Sequence, residues 1–273
     1  MSAIVPPLIS GNLTAMRDCR YGRMVYLRHD TCVSRSIELY GEWSEGETAL
    51  FHQLLAPGDV VVEVGANIGT HTVFLAKAVG RGGAVIAYEP QRFVFHLLCA
   101  NIALNELMNV YPRHAAAGAA SGSINVPAFD FSAENNVGGL ALGPGQVHRQ
   151  GEEVALETLD SLGIGRLKLL KVDAEGMEGE VLAGARDTIK RCRPILYLEN
   201  DRTDKSAQLI TLVLDAGYRL WWHLPPMYNP ANFAGNAHNI FRDIVSINML
   251  CMPRESALHI AGLREVSGPA DLP

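Results

Sequence analysis

Val60-Val61-Val62-Glu63-Val64-Gly65-Ala66-Asn67-Ile68-Gly69 decides the fold of this chain. β-Branched residues run straight into an acid and two glycines, and a helical pattern from Thr70 to Val79 follows at once. An apolar run with Glu63 inside it reads as a central parallel strand covered on both faces. Gly65 lets the backbone turn sharply and lets a ligand approach it closely. Free N–H groups at the start of the following helix point back at that turn. Together these features predict a site for a nucleoside-bearing cofactor.

Glycine spacing and acid placement narrow the choice. The dinucleotide fingerprint is G-x-G-x-x-G with its acid about 20 residues on. Here the spacing is Glu63-x-Gly65-x-x-x-Gly69, and no third glycine closes the pattern. The next strand, Ala84 to Tyr88, ends in Glu89-Pro90, where a carboxylate can accept both ribose hydroxyls. This pairing resembles the class I S-adenosylmethionine-dependent methyltransferases. The resemblance implies that the glycine loop wraps the methionine end of the cofactor while the acid holds the ribose.

Outward from this motif the pattern alternates as a doubly wound α/β sheet should. Helix Phe93–Asn105 follows strand two, Val110–Ala117 is strand three and Leu167–Val172 strand four. A helix from about Met177 to Ile189, strand Ile195–Leu198 and helix Ser206–Ala216 come next, then Tyr218–Trp222 and Ile244–Leu250 as a last, partly antiparallel pair. The expected fold is a Rossmann-like, mostly parallel sheet of seven strands, with helices on both faces and an N-terminal extension. Residues 1–56 are that extension, with a short strand at Met24–Leu27 and a helix at Glu47–Leu55, and they are expected to pack on the core. Residues 57–264 form the catalytic domain, 119–150 a lid or hairpin insertion within it, and 265–273 a frayed tail.

Composition excludes several classes. The 273 residues are 48% hydrophobic and carry a net charge of −6, with no long basic run, so no nucleic-acid partner is expected. The apolar stretches are strand-sized and the N-terminus lacks a signal-peptide pattern, which predicts no membrane association and a cytoplasmic location. Five scattered cysteines (Cys19, Cys32, Cys99, Cys192 and Cys251) form no C-x-x-C and read as reduced thiols.

The second dense signal is Lys168-Leu169-Leu170-Lys171-Val172-Asp173-Ala174-Glu175-Gly176-Met177-Glu178. A strand presents Asp173 at its tip, turns, and enters a helix with Glu178 in the first turn. Taken singly, Glu178 is a helix-start charge and Asp173 a turn residue, but three carboxylates in six residues exceed what capping needs.

These blocks, with Thr158-Leu159-Asp160 upstream and Val181-Leu182-x-Gly184-Ala185 and Pro194…Glu199 downstream, resemble the FkbM family of methyltransferases over residues 58–200. The usual first acid is Asp, and Glu63 keeps the carboxylate. The resemblance implies O-methylation of a hydroxyl on a sugar, a polysaccharide or a polyketide-like metabolite. It also implies cofactor contacts from Glu63, Gly65, Ala66, Asn67, Gly69, Glu89, Pro90, Ala116, Ala117 and Asp173, with His71 lining the same pocket. Asp173 and Glu175 would face the transferring methyl, and Asn101 would brace the Glu89 loop.

An alcohol is a weak nucleophile, so a base or a metal should assist it. Asp173 is the first candidate, and His223 and His238 are further candidate bases. Glu199-Asn200-Asp201 ends strand five, so Asp173, Asn200 and Asp201 make an alternative Mg²⁺ ligand set, although no metal is required. The Trp221–Asn239 region, rich in aromatics, amides and histidines, suits a sugar surface, while its Trp pair equally suits the core. The acceptor is a small molecule or glycan, and the extension is also placed to serve as the arm of a homodimer. Two alternatives stay open: a Rossmann-fold NAD-dependent oxidoreductase, and an N-methyltransferase acting on a small amine.

Overall fold

The computed structural model describes residues 7–140 and 151–273. The chain opens with an antiparallel three-stranded sheet of β1 (Ile9–Ser10), β2 (Thr14–Cys19) and β3 (Gly22–Leu27), then α1 (Val33–Tyr40) and α2 (Glu45–Leu54). The core follows with β4 (Val60–Val64), α3 (Thr70–Val79), β5 (Ala84–Tyr88), α4 (Arg92–Leu104) and β6 (Val110–Arg113). An excursion comprises β7 (Ala116–Ala117), β8 (Gly122–Pro127) and β9 (Gly151–Glu157). After it come β10 (Leu169–Val172), α5 (Glu178–Ala183), α6 (Arg186–Cys192), β11 (Ile195–Glu199), α7 (Thr203–Asp215), β12 (Tyr218–His223), β13 (Asn248–Pro253) and β14 (Arg264–Glu265).

The main sheet runs β14-β12-β13-β11-β10-β4-β5-β6. Pairing is parallel from β6 through β11, and β13 is antiparallel to both of its neighbours. The strand order reverses between β4 and β10, so a crevice opens at their carboxyl ends. Val61, Val62, Leu169 and Leu170 are fully buried there, each contributing about 1.5–3 kcal/mol. Register sets a buried charge inside this apolar sheet: Lys171 stands beside Glu63 on one side and Tyr197 on the other.

Several expectations are corrected. Strand three ends at Arg113, and Ala116–Ala117 leaves the main sheet to pair with β9, drawn over by the two-pronged Arg113–Glu157 ion pair. The single helix expected over 177–189 is two. A Cβ on Gly184 would lie 2.0 Å from the Gly118 carbonyl, and the Asp160 carboxylate accepts the Asp187 and Thr188 N–H groups that start α6. The strand expected from Ile244 begins at Asn248. The tail is not frayed: β14 pairs with β12, Glu265 takes Arg219, and Asp271 takes Arg264. Among the described residues the sheet therefore has eight strands, where seven were expected.

The insertion is a hairpin excursion, with β8 and β9 antiparallel from Gly122↔Leu156 to Pro127↔Gly151; its residues 141–150 lie outside the described residues. The N-terminal extension is stitched to the core by buried Asn101. Its Oδ1 accepts the Val25 N–H at 2.7 Å, and its Nδ2 donates to the Val25 and Ile68 carbonyls. Among the described residues, no helix is long and apolar enough to cross a membrane.

Candidate active site

The crevice has two compartments. The first is walled by Tyr88, Pro90, Ala115, Ala116, Ala117, Leu140, Ala174 and Met177. The second is larger and is lined by α2, the glycine loop, Lys171 and residues 244–248. Gly65, Glu89, Gln91, Gly138, Asp173 and Glu175 border both and form the waist between them.

At the waist the glycine loop is closed upon itself. The N–H groups of Gly65 and Ala66 donate to the Tyr88 carbonyl, Asn67 N–H to Glu89 Oε2, Ile68 N–H to Asn67 Oδ1, and Gly69 N–H to the Ala66 carbonyl. The loop therefore meets a ligand by close approach rather than by donating its own N–H groups. Gly65 has φ +80°, and a Cβ there would lie 1.8 Å from the Asp173 carbonyl, so the neighbouring strand tip itself demands glycine. Gly69 lines neither compartment; its Cβ position meets Leu98, so its contribution is the turn and its packing, not the expected cofactor contact.

Glu89 is buried with one oxygen on Asn67 N–H and the other on Gln91 N–H, leaving further lone pairs toward the crevice. Burial pushes its pKa up to about 7, against the pull of those two N–H groups. Burial likewise lifts Glu63 to about 7; its carboxylate is held by Lys171's charge and a 2.6 Å bond from Thr72 Oγ1.

Lys171, only 2% exposed, places Nζ 3.1 Å from Asp173 Oδ2. Burial alone would lower the ammonium's pKa, but Asp173, Glu63 and Glu47 outweigh it and hold it above its ordinary value. Asp173 keeps 41% of its side chain exposed, so the pair joins the buried floor to the open cleft. Glu175 pairs with Arg202, and burial followed by Asp173's charge raises it to about 7. Glu199 is pushed well up by burial and by the acids around it, and its Oε2 is buried without a hydrogen-bond partner among the described residues. Oxygens of Asp173, Glu175 and Glu199 lie within 4.8 Å of one another.

This grouping replaces the expected Asp173–Asn200–Asp201 metal set. Asn200 turns away, donating to Ser206 Oγ and Met249 Sδ, and Asp201 pairs with Arg202. The donors present are hard oxygens suited to Mg²⁺. Lys171 and Arg202 already balance two of the three acids, so a divalent ion would compete with built-in cations.

Two histidines fall away from the site. His223 hydrogen-bonds Tyr197 OH at 2.8 Å behind the cleft, and burial lowers its pKa to about 4. His238 is exposed, and its carbonyl receives Tyr40 OH. The loop around it spends its amides on packing: Asn229 Nδ2 and Phe233 N–H grip Glu42, and Asn232 and Asn236 bond within the loop, while Met227 lines the larger compartment. Trp221 and Trp222 are core. His71 does line the larger compartment, 4% exposed, with Nε2 3.9 Å from Glu47 Oε2 and its pKa held low by burial and then by Lys171.

Sequence reading missed Glu47, Lys171, Gln91 and Glu199. Lys171 was legible as a charge inside an apolar strand; Glu47 had no local signal, because only folding brings α2 over the crevice.

A doubly wound sheet with its crevice at the β4/β10 switch point, a closed glycine loop and an acid at the tip of β5 defines a class I methyltransferase. The Methyltransferase FkbM domain family matches residues 63–220, and the chain belongs to that family. Among its relatives, the 31-O-demethyl-FK506 methyltransferase FkbM of Streptomyces tacrolimicus is 27% identical over 207 residues, 64% of this chain and 78% of that protein. The crystal structure of methyltransferase FkbM from Methylobacillus flagellatus KT is 17% identical with a TM-score of 0.45, covering 74% of this chain but half (50%) of that one. Precorrin-6y C5,15-methyltransferase from Geobacter metallireducens GS-15 gives 13% identity and a TM-score of 0.48, over 76% of this chain and 86% of that one. The oxidoreductase alternative falls with the family assignment.

Proposed function

We propose that this methyltransferase moves the methyl group of S-adenosylmethionine to a hydroxyl of a sugar, a polysaccharide or a polyketide-like metabolite. The two-compartment crevice with Asp173 and Glu175 at its waist carries this reading. The apolar first compartment fits an adenine, Glu89 the ribose, and Glu63, Gly65, Ala66 and Asn67 the methionine end. The larger compartment takes that methionine end along the glycine loop and the acceptor beyond it. The relative from Streptomyces tacrolimicus is named for methylating an oxygen, which favours a hydroxyl over an amine.

Methyl transfer from a sulfonium is an in-line displacement: the acceptor oxygen forms a bond to carbon, and the C–S electron pair returns to sulfur. Alignment of the two can supply roughly 7–11 kcal/mol of barrier reduction. Asp173 accepts the hydroxyl proton, and Lys171 beneath it fixes the carboxylate's direction. The acid-rich floor also attracts the sulfonium. Where Mg²⁺ binds, Asp173, Glu175 and Glu199 would hold it, and it would lower the pKa of the acceptor hydroxyl.

Calorimetric titration with S-adenosylmethionine and S-adenosylhomocysteine on wild type and Glu89→Ala tests the cofactor half. Micromolar binding that weakens at least about 100-fold in the variant is expected, a charge-assisted pair of bonds being lost. No binding to folded wild type would overturn the reading. Labelled methyl transfer to a panel of glycosides and macrolide alcohols then finds the acceptor.

A further inference from the structure

Gln91 lies two residues past Glu89 and is only 8% exposed, yet its amide is half used. Nε2 donates to the Val137 carbonyl at 2.9 Å, whereas Oε1 is buried with no partner among the described residues. The Val137 bond fixes which end is which, since a flipped amide would set oxygen against oxygen. Gln91 borders both compartments, and its own N–H donates to Glu89 Oε1 at 2.8 Å. Gln91 Oε1 is thus a buried acceptor without a donor, beside Glu89 and on the border of both compartments.

The other end of this amide reaches the cover of the crevice. Val137 N–H donates to Asp30 Oδ1 at 3.2 Å, and Asp30 Oδ2 accepts the Ser34 N–H at the start of α1. Asn135 bonds His29 and Thr31 through its backbone, and Gly138 and Leu140 line the first compartment. One run of hydrogen bonds thus joins the β5 tip, residues 135–140 and the N-terminal extension.

We propose that Gln91 Oε1 accepts a hydrogen bond from a ribose hydroxyl of the S-adenosyl cofactor, and that through Val137 the same side chain fastens residues 135–140 over the nucleoside. The ribose is assigned, rather than the adenine, by position: Gln91 stands at the waist beside Glu89, while Tyr88, Pro90, the Ala115–Ala117 run and Met177 wall the inner slot alone. Glu89 and Gln91 then share the two donors of the diol. The proposal rests on the cofactor assignment above.

The test uses S-adenosylhomocysteine and its 2′-deoxy and 3′-deoxy analogues, titrated calorimetrically into wild type and Gln91→Leu. Loss of a buried hydrogen bond predicts roughly 5- to 20-fold weaker binding of S-adenosylhomocysteine by the variant. One deoxy analogue, the one lacking the hydroxyl held by Gln91, should bind wild type and variant equally. In hydrogen exchange, saturating S-adenosylhomocysteine should slow the Val137–Leu140 amides of wild type and leave those of the variant fast. Equal affinity together with equal protection would overturn the proposal. Wild type that ignores S-adenosylhomocysteine would instead overturn the cofactor assignment beneath it. If Gln91→Leu fails to fold, Gln91→Met, which keeps the chain length, is judged by the same criteria.

Discussion

The two halves of the crevice are built in opposite ways. In the first compartment the walls are mostly apolar, with Tyr88, Pro90, Ala115 to Ala117 and Met177 among them. In the larger compartment, Glu47, Glu63, His71 and Lys171 are buried together, and His71 Nε2 has no partner among the described residues. The first half is a preformed mould. The second is an electrostatic floor in which every charge depends on another, as buried ionisable groups must. Under the proposed function the mould suits a nucleoside of constant shape, and the charges suit the handling of a proton and a sulfonium.

The sharpest break in that comparison is Lys171→Met. Removing the cation leaves Glu47, Glu63 and Asp173 facing one another, and a loss of about 3–5 kcal/mol is expected in urea denaturation. The loss should be smaller at pH 5 than at pH 8, because protonated acids no longer repel. Equal loss at both values would show that the lysine is a packing element and not a counter-charge.

Asp173→Asn comes next. With an acceptor in hand, turnover should fall about 10²–10⁴-fold, the usual contribution of a proton-transfer group, while S-adenosylhomocysteine binding changes little. A parallel fall in cofactor affinity would move Asp173 from the proton to the cofactor.

A smaller effect reads the floor through pH. Glu63, Glu89 and Glu175 sit at about 7, raised first by burial, so all three ionise as pH rises from 6 to 8. Their ionised forms attract the sulfonium cation of S-adenosylmethionine and not the neutral thioether of S-adenosylhomocysteine. The affinity ratio of the two should therefore rise with pH across this window, by up to about tenfold for one pKa unit of coupling. A flat ratio would place the sulfonium away from these acids.

The smallest expected effects test what lies outside the site. His238→Ala should leave turnover near normal, since its side chain faces solvent, and EDTA-treated enzyme should keep its activity. A sharp loss from the substitution would bring the His238 side chain into the site. A loss with EDTA restored by Mg²⁺ would hand the Asp173, Glu175 and Glu199 cluster to a metal.

The first strand, its glycine turn and the acid at the β5 tip were legible because their contacts are local. Val60–Gly69 and Glu89-Pro90 place strand, turn and acid by short-range rules: β-branched residues favour strands and glycine permits positive φ. The misreadings share one cause, that burial and partners come from elsewhere in the chain. His223 and His238 looked like bases until Tyr197 and Tyr40 claimed their surroundings. Asn200 looked like a ligand until Ser206 and Met249 took its amide.

By itself, then, the sequence determined the doubly wound sheet, its cofactor edge and the Asp173 tip, since hydrophobic period, glycine spacing and strand-end acids act over a few residues. Only the tertiary structure decided that Glu47 and Lys171 share a floor, that Glu199 joins Asp173 and Glu175, and that Gln91 ties the crevice to its cover. Those groups are separated by tens of residues, and their charge states follow from burial and distance, which exist only once the chain is folded.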